Sequence, residues 1–152
     1  MENNLQVSKN VSDYAVSFYV IEKSRIALSE LTYIGDLGRD YADLIKNKKD
    51  KEQFLSEFES VDKVYYFSRL NVPEQLRGKG LAKLLMKETI EFCRENNAML
   101  INTVNPYGDM NLQQLNEFYQ KCGMKLVNKQ GLLIFSNNIS NITNDISKKI
   151  KP

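Results

Sequence analysis

The spacing of apolar residues changes several times along the chain, and each change predicts an element. "YAVSFYVIE", Tyr14–Glu22, is dense in β-branched and aromatic residues and too short for a helix, which predicts a strand. "KSR" follows as a turn, and "IALSELTYI", Ile26–Ile34, reads as a second strand, so the two form a hairpin. Gly35 and Gly38 then break the pattern. From Arg39 to about Val61 the spacing is helical. Tyr41, Leu44 and Ile45 share one face, Phe54, Phe58 and Val61 share another, and the Lys-rich run at 46–51 divides two short helices. "KVYYFSRLNV", Lys63–Val72, returns to strand composition.

The second half is more regular. Leu81–Asn96 predicts a long helix with Leu81, Leu84, Leu85 and Phe92 toward a core and Ala82, Met86 and Ile90 beside them. "AMLINTV", Ala98–Val104, reads as a short buried strand, and "NPYGD" as a turn-rich loop. Leu112–Cys122 is a second amphipathic helix, stopped by Gly123. "MKLVN" and "GLLIFSN", around Gln130–Gly131, form a closing hairpin. Residues 1–12 read as a polar start. The order of elements predicts one α/β or α+β domain over residues 1–136, with 137–152 as a C-terminal tail. In that tail Ile139, Ile142, Ile146 and Ile150 fall on one helical face. Such a stripe docks on the domain, meets a second copy in a homodimer, or frays as a short isolated helix does.

Composition narrows the chemistry. The 152 residues carry a net charge of +2, so no strong field argues for nucleic acid, and no apolar run is long enough to span a bilayer. "KNKKDKE", Lys46–Glu52, reads as a solvated face. The N-terminal "MENNLQVSKN" lacks the layout of a secretory signal, which predicts a cytoplasmic protein. Cys93 and Cys122 have no metal-ligand spacing and read as reduced, packed thiols. Histidine is absent, which excludes Ser-His-Asp and Cys-His catalysis and leaves Tyr, Cys, Lys or carboxylates for proton transfer.

One stretch, "NVPEQLRGKGLAKLLMKE", Asn71–Glu88, joins a predicted strand to the long helix. Pro73 stops ladder pairing, and Gly78 and Gly80 flank Lys79 where the helix must begin. Glycines allow close approach of a ligand to the backbone, and the first helical N–H groups point outward at the positive end of the dipole. That combination suits an anion, phosphate above all. Arg77 and Lys79 add charge. The alternative is a plain loop whose glycines serve geometry alone. A Walker A loop is excluded by the short interval from Gly78 to Gly80, and the dinucleotide fingerprint by Lys83 where a third glycine is needed.

"QLRGKGLA" resembles the acyl-CoA loop of the GNAT superfamily of N-acetyltransferases, Gln/Arg-x-x-Gly-x-Gly/Ala, with Gln75, Gly78 and Gly80 at its fixed positions. "LNV", Leu70–Val72, resembles the end of that family's fourth strand. "LNEFYQKCGMKLV", Leu115–Val127, resembles its A/L-x-x-Φ-Tyr-x-x-x-Gly-Phe segment, with Met124 in place of the Phe. The resemblance spans about Val64 to Phe135. It implies a mixed, mostly antiparallel sheet whose central strands, Lys63–Val72 and Ala98–Val104, splay apart, flanked by helices.

The resemblance also implies acetyl-CoA as cofactor and the amine of a small molecule, peptide or protein as acceptor, with no nucleic-acid or membrane partner. The backbone of Leu70, Asn71 and Val72 would pair with the pantetheine arm. Gln75 and the N–H groups of Arg77, Gly78, Lys79, Gly80, Leu81 and Ala82 would surround the pyrophosphate. Tyr119 takes the position of the acid that protonates the leaving thiolate, a role open to a hydroxyl of pKa about 10. The Asn that many relatives carry seven residues earlier is Leu112 here, with Asn111 and Asn105 as neighbouring substitutes. The N-terminal half departs from the family order, since the hairpin precedes the helical pair. No general base stands out among Glu52, Glu57, Glu59 and Glu74. A GNAT-like module that binds acyl-CoA or a protein without catalysis is the alternative.

Overall fold

Lys23 and Ser24 adopt φ of 53° and 63°, the positive values that both central residues of a tight type I′ hairpin need. They join β2 (Ala15–Glu22) to β3 (Arg25–Tyr33), the predicted hairpin. The computed structural model describes residues 5–105, 110–128 and 130–137. The stripe of isoleucines at 139–150 and most of the "NPYGD" loop therefore lie outside the described residues.

Seven strands form one sheet in the order β1-β2-β3-β4-β5-β7-β6, adding β1 (Ser8–Val11), β4 (Lys63–Asn71), β5 (Ala98–Thr103), β6 (Lys125–Asn128) and β7 (Leu132–Phe135). All neighbours are antiparallel except β4 and β5. Within the polar start, for which no element was predicted, Ser8–Val11 pairs with Val16–Tyr19. Its four side chains are all exposed, so this edge strand lacks the alternation that marks a half-buried one.

Two cores flank the sheet, and alternation along the central strands assigns residues to them. Tyr65 and Phe67 of β4, Leu100 of β5 and Leu133 and Phe135 of β7 join Leu81, Leu85 and Met86 of α2 (Leu81–Glu95). Tyr119 of α3 (Leu112–Lys121) enters the same core. On the other side Val64, Met99, Ile101 and Ile134 meet Phe54 and Phe58 of α1 (Lys48–Ser60), Ala42 of a 3₁₀ segment, Gly35–Leu44, and Ile45, its C-cap.

Two expectations for residues 35–61 change. The first helix is 3₁₀, with three residues per turn, so Ala42 and Ile45 are buried while Leu44 is exposed. The break between the helices takes in only the start of the Lys-rich run, Lys46 and Asn47. Asn47 caps α1 by accepting a hydrogen bond from Asp50 N, and Lys48–Lys51 forms the first turn. Gly38, expected to break the pattern, sits inside the 3₁₀ segment, where an added Cβ would lie 2.7 Å from Val64 Cγ1.

Candidate functional site

The two central strands part where the family resemblance implied. β4 and β5 pair from Lys63↔Ala98 to Tyr66↔Ile101 and no further. Beyond that level β4 pairs only with β3, up to Asn71, while Asn102 and Thr103 pair only with β7. One backbone edge of Phe67–Asn71 is therefore without a strand partner among the described residues. A bulge adds to the divergence: Phe67 faces Leu31 and Arg69 faces Glu30, leaving Ser68 as the extra residue. Bulges bend a strand and increase its twist.

The chain leaves the free edge through Val72 and Pro73 and turns at a 3₁₀ piece, Glu74–Leu76. Leu76 is fully buried and fastens the loop to the core. Arg77 Nε donates to Val72 O at 3.0 Å and closes the loop on itself. Gly78 and Gly80 have φ of 84° and 77°, and an added Cβ at either would meet nothing within 4 Å. The glycines are thus required by backbone conformation, and the space beside them is open. Gly80 is the N-cap of α2 and offers no side chain to the helix amides. The first helical bond runs from Leu84 N to Gly80 O, so the amides of Leu81, Ala82 and Lys83 precede the ladder. An anion finds donors, positive dipole and free space together here.

The remaining predicted residues fall around this turn. Leu70 and Val72 are half-buried against the α2-side core, whereas Asn71 and Gln75 are exposed. Lys79 does not stand free: its Nζ donates to Glu22 Oε1 at 2.8 Å, at the tip of the β2–β3 hairpin. Asn111 is occupied as the N-cap of α3, where its side chain accepts from Gln114 N and its own N–H donates to Gln114 Oε1. Asn105 is exposed.

Tyr119 projects from α3 into the core and is 8 % exposed. Its ring meets Phe67 edge-on at 5.7 Å. Phe67 is the first residue past the last β4–β5 pair, so the register sets Tyr119 at the point of divergence. Gly123, with φ of 115°, ends α3, as its position in the sequence predicted.

Two of the four glutamates considered as a base are engaged elsewhere. Glu57 is buried and accepts a hydrogen bond from Ser136 Oγ, next to Phe135, which pairs with Leu100 in the stretch where β5 still pairs with β4. Glu59 pairs with Arg39, and Glu52 and Glu74 are exposed. Neither thiol is poised as a nucleophile. Burial pushes the Cys93 thiol up to about 12, and burial raises that of Cys122 against a smaller lowering by Lys83.

Sequence reading passed over two groups at the divergence. On the α1 side Tyr66 and Thr103 hydroxyls hydrogen-bond between β4 and β5, and Tyr41 stacks on Tyr66 with ring centroids 5.8 Å apart. Burial, then the neighbouring Tyr66, raises the Tyr41 hydroxyl above its ordinary pKa. On the α2 side two buried asparagines, Asn102 and Asn116, each hold a polar atom without a hydrogen-bond partner. The available signals were a lone Asn in the apolar strand "AMLINTV" and an Asn one turn before Tyr119. Among the described residues there is no acidic or thiol cluster suited to a metal.

The open turn and the unbonded first amides of α2 suit an anion. The profile of the Acetyltransferase (GNAT) family matches residues 48–124, half of the chain, running from the start of α1 to Met124. Among solved structures, the crystal structure of Arabidopsis thaliana NAA60 in complex with a bisubstrate analogue is similar in fold, with a TM-score of 0.51 and 16% identity. That likeness covers 81% of this chain and 75% of the other. No curated protein sequence matches the chain.

Proposed function

Because the chain belongs to the GNAT acetyltransferase family, we propose that it uses acetyl-CoA to acetylate a primary amine of a small molecule, peptide or protein. The observation that carries this reading is the start of α2, with no side-chain cap, behind two glycines with open space, set beside a β4 edge that has no strand partner among the described residues. Arg77 to Ala82 hold the pyrophosphate through backbone amides, with Gln75 at the loop rim. The free edge ending at Leu70, Asn71 and Val72 takes the pantetheine arm as an added strand. Arg77 and Lys79 shape the loop through Val72 O and Glu22 more than they supply free charge.

Bound acetyl-CoA supplies an activated acetyl carbonyl, which the amine attacks as the C–S bond breaks. The chain's part is to orient that carbonyl, exclude water and deliver a proton. Tyr119 Oη is the proton donor to the departing sulfur, and its packing on Phe67 fixes the ring where the strands part. The amine's own proton leaves to water.

The free thiols Cys93 and Cys122 suit a reducing cytoplasm. Among the described residues no helix is long and apolar enough to cross a membrane. A thiol-release assay with acetyl-CoA and a panel of peptide and small-molecule amines tests the reading. Amine-dependent release is expected. Saturable CoA binding with no transfer to any amine or to the protein's own lysines would favour the non-catalytic module instead.

A further inference from the structure

The sheet is covered unevenly. On the α2 side Val16, Phe18 and Val20 of β2 and Ala27 and Leu31 of β3 lie in the core. On the α1 side the core takes no residue from β1, β2 or β3 among the described residues. Alternation turns Tyr19 and Ile21 of β2 and Ile26 and Leu28 of β3 onto that uncovered face. The register sets Tyr19 opposite Leu28 and Ile21 opposite Ile26. Ile21 is 61 % exposed and Ile26 51 %. A paired apolar patch rimmed by polar residues marks an interaction site, unlike apolar residues scattered singly.

Continuity and charge say what covers it. Leu28 stands opposite Asn71, the end of the free β4 edge. From there toward the divergence the same face carries Glu30 bonded to Arg69 at 3.3 Å, then the bonded hydroxyls of Thr32 and Ser68, then Tyr66 at the last β4–β5 pair. The Lys79–Glu22 bond ties the hairpin tip to the phosphate turn, which fixes the patch relative to the site. At that tip Lys23 and Arg25 are exposed and have no ion-pair partner among the described residues, since Glu22 goes to Lys79. We propose that this face is a docking surface for a polypeptide acceptor. Its amine reaches the acetyl group at the divergence from the α1 side, while an apolar stretch flanked by acidic residues covers Ile21 and Ile26. From Leu31, opposite Phe67, to Ile26 is about 17 Å along β3, a span that extended polypeptide crosses and a metabolite amine does not. This inference rests on the acetyl-CoA reading and narrows its acceptor to a polypeptide.

Acetylation of a pooled peptide library by the full chain and acetyl-CoA, read by mass spectrometry, tests it. The acetylated peptides should favour an apolar residue with an acidic neighbour about five or six positions from the modified amine. The double variant Ile21→Thr, Ile26→Thr keeps a β-branched residue at both exposed positions, so its Tm and its acetyl-CoA affinity should match wild type. On a favoured peptide its kcat/KM should fall about tenfold, through KM, while a truncated peptide that ends short of the patch reacts as before. Arg25→Glu should erase the acidic preference alone. Peptide acetylation with no distal preference overturns the inference, as does a double variant that reacts like wild type. Wild type that binds acetyl-CoA yet acetylates no peptide overturns it too and leaves the cofactor reading standing. A wild-type dimer that the double variant turns into a monomer in sedimentation makes this face a contact between copies, which also overturns it. Wild type that neither binds acetyl-CoA nor transfers from it overturns the acetyl-CoA reading itself.

Discussion

Replacing Gly80 by Ala separates what the turn does for the fold from what it does for a ligand. In the free protein the new methyl meets nothing within 4 Å, so no steric clash arises. The cost is conformational. Gly80 has φ of 77°, and a side-chain-bearing residue in that region costs roughly 1–2 kcal/mol. For a chain of 152 residues that lowers Tm by about 2–8 °C, at about 2–4 °C per kcal/mol. The same methyl occupies the space a phosphate needs against the first amides of α2. Losing one or two hydrogen bonds to a charged group costs about 1.5–3 kcal/mol each, which weakens acetyl-CoA binding by about tenfold or more. Gly38→Ala makes the control. Its Cβ would press Val64 Cγ1 at 2.7 Å on the α1 side of the sheet, a tighter strain with no relation to the turn. Differential scanning calorimetry and titration on both variants give the answer. Gly80→Ala should lose affinity at a Tm cost of no more than about 2–8 °C, whereas Gly38→Ala should lose Tm with its affinity unchanged. Equal affinity in folded Gly80→Ala and wild type would refute the phosphate grip.

Other substitutions probe different parts of the account. Tyr119→Phe keeps the ring on Phe67 and should leave Tm and acetyl-CoA affinity nearly unchanged while lowering kcat by about a hundredfold, as loss of a general acid does; wild-type turnover would retire the assignment. Leu76 is fully buried under the loop, so Leu76→Ala should cost about 2–5 kcal/mol of stability in urea denaturation. Cys93 gives a pH test. Its thiol rises from 9.0 to about 12 through burial, so it holds its proton more tightly folded than unfolded. Its contribution is complete below the unfolded pKa and fades as pH climbs from about 9 toward 12, by at most about 4 kcal/mol. Denaturation curves should show stability falling over that window, and a shallower fall in Cys93→Ala.

Legibility in the sequence followed how strongly each residue's environment shows in its neighbours. The hairpin, α2, α3 and the central strands carry clear periodicity because each buries one face or both. β1 carries none, because all four of its side chains are exposed and only its backbone pairs. The 3₁₀ segment misled the face assignment, since Leu44 would turn inward at 3.6 residues per turn and turns outward at three. The turn at Gly78 and Gly80 could be read because glycine spacing is a local signal. The ties of Lys79 to Glu22 and of Arg77 to Val72 O could not, because Glu22 lies 57 residues away and the arginine's choice of a carbonyl leaves no trace in composition. Asn111 illustrates a competition. Its place before α3, with Gln114 three residues on, is a capping box, and the cap holds the side chain that a cofactor contact would need.

Titration of the full chain with acetyl-CoA by isothermal calorimetry tests the central claim most directly. The account predicts saturable, single-site binding that Gly80→Ala weakens and Tyr119→Phe leaves intact. No heat of binding at millimolar acetyl-CoA would contradict it.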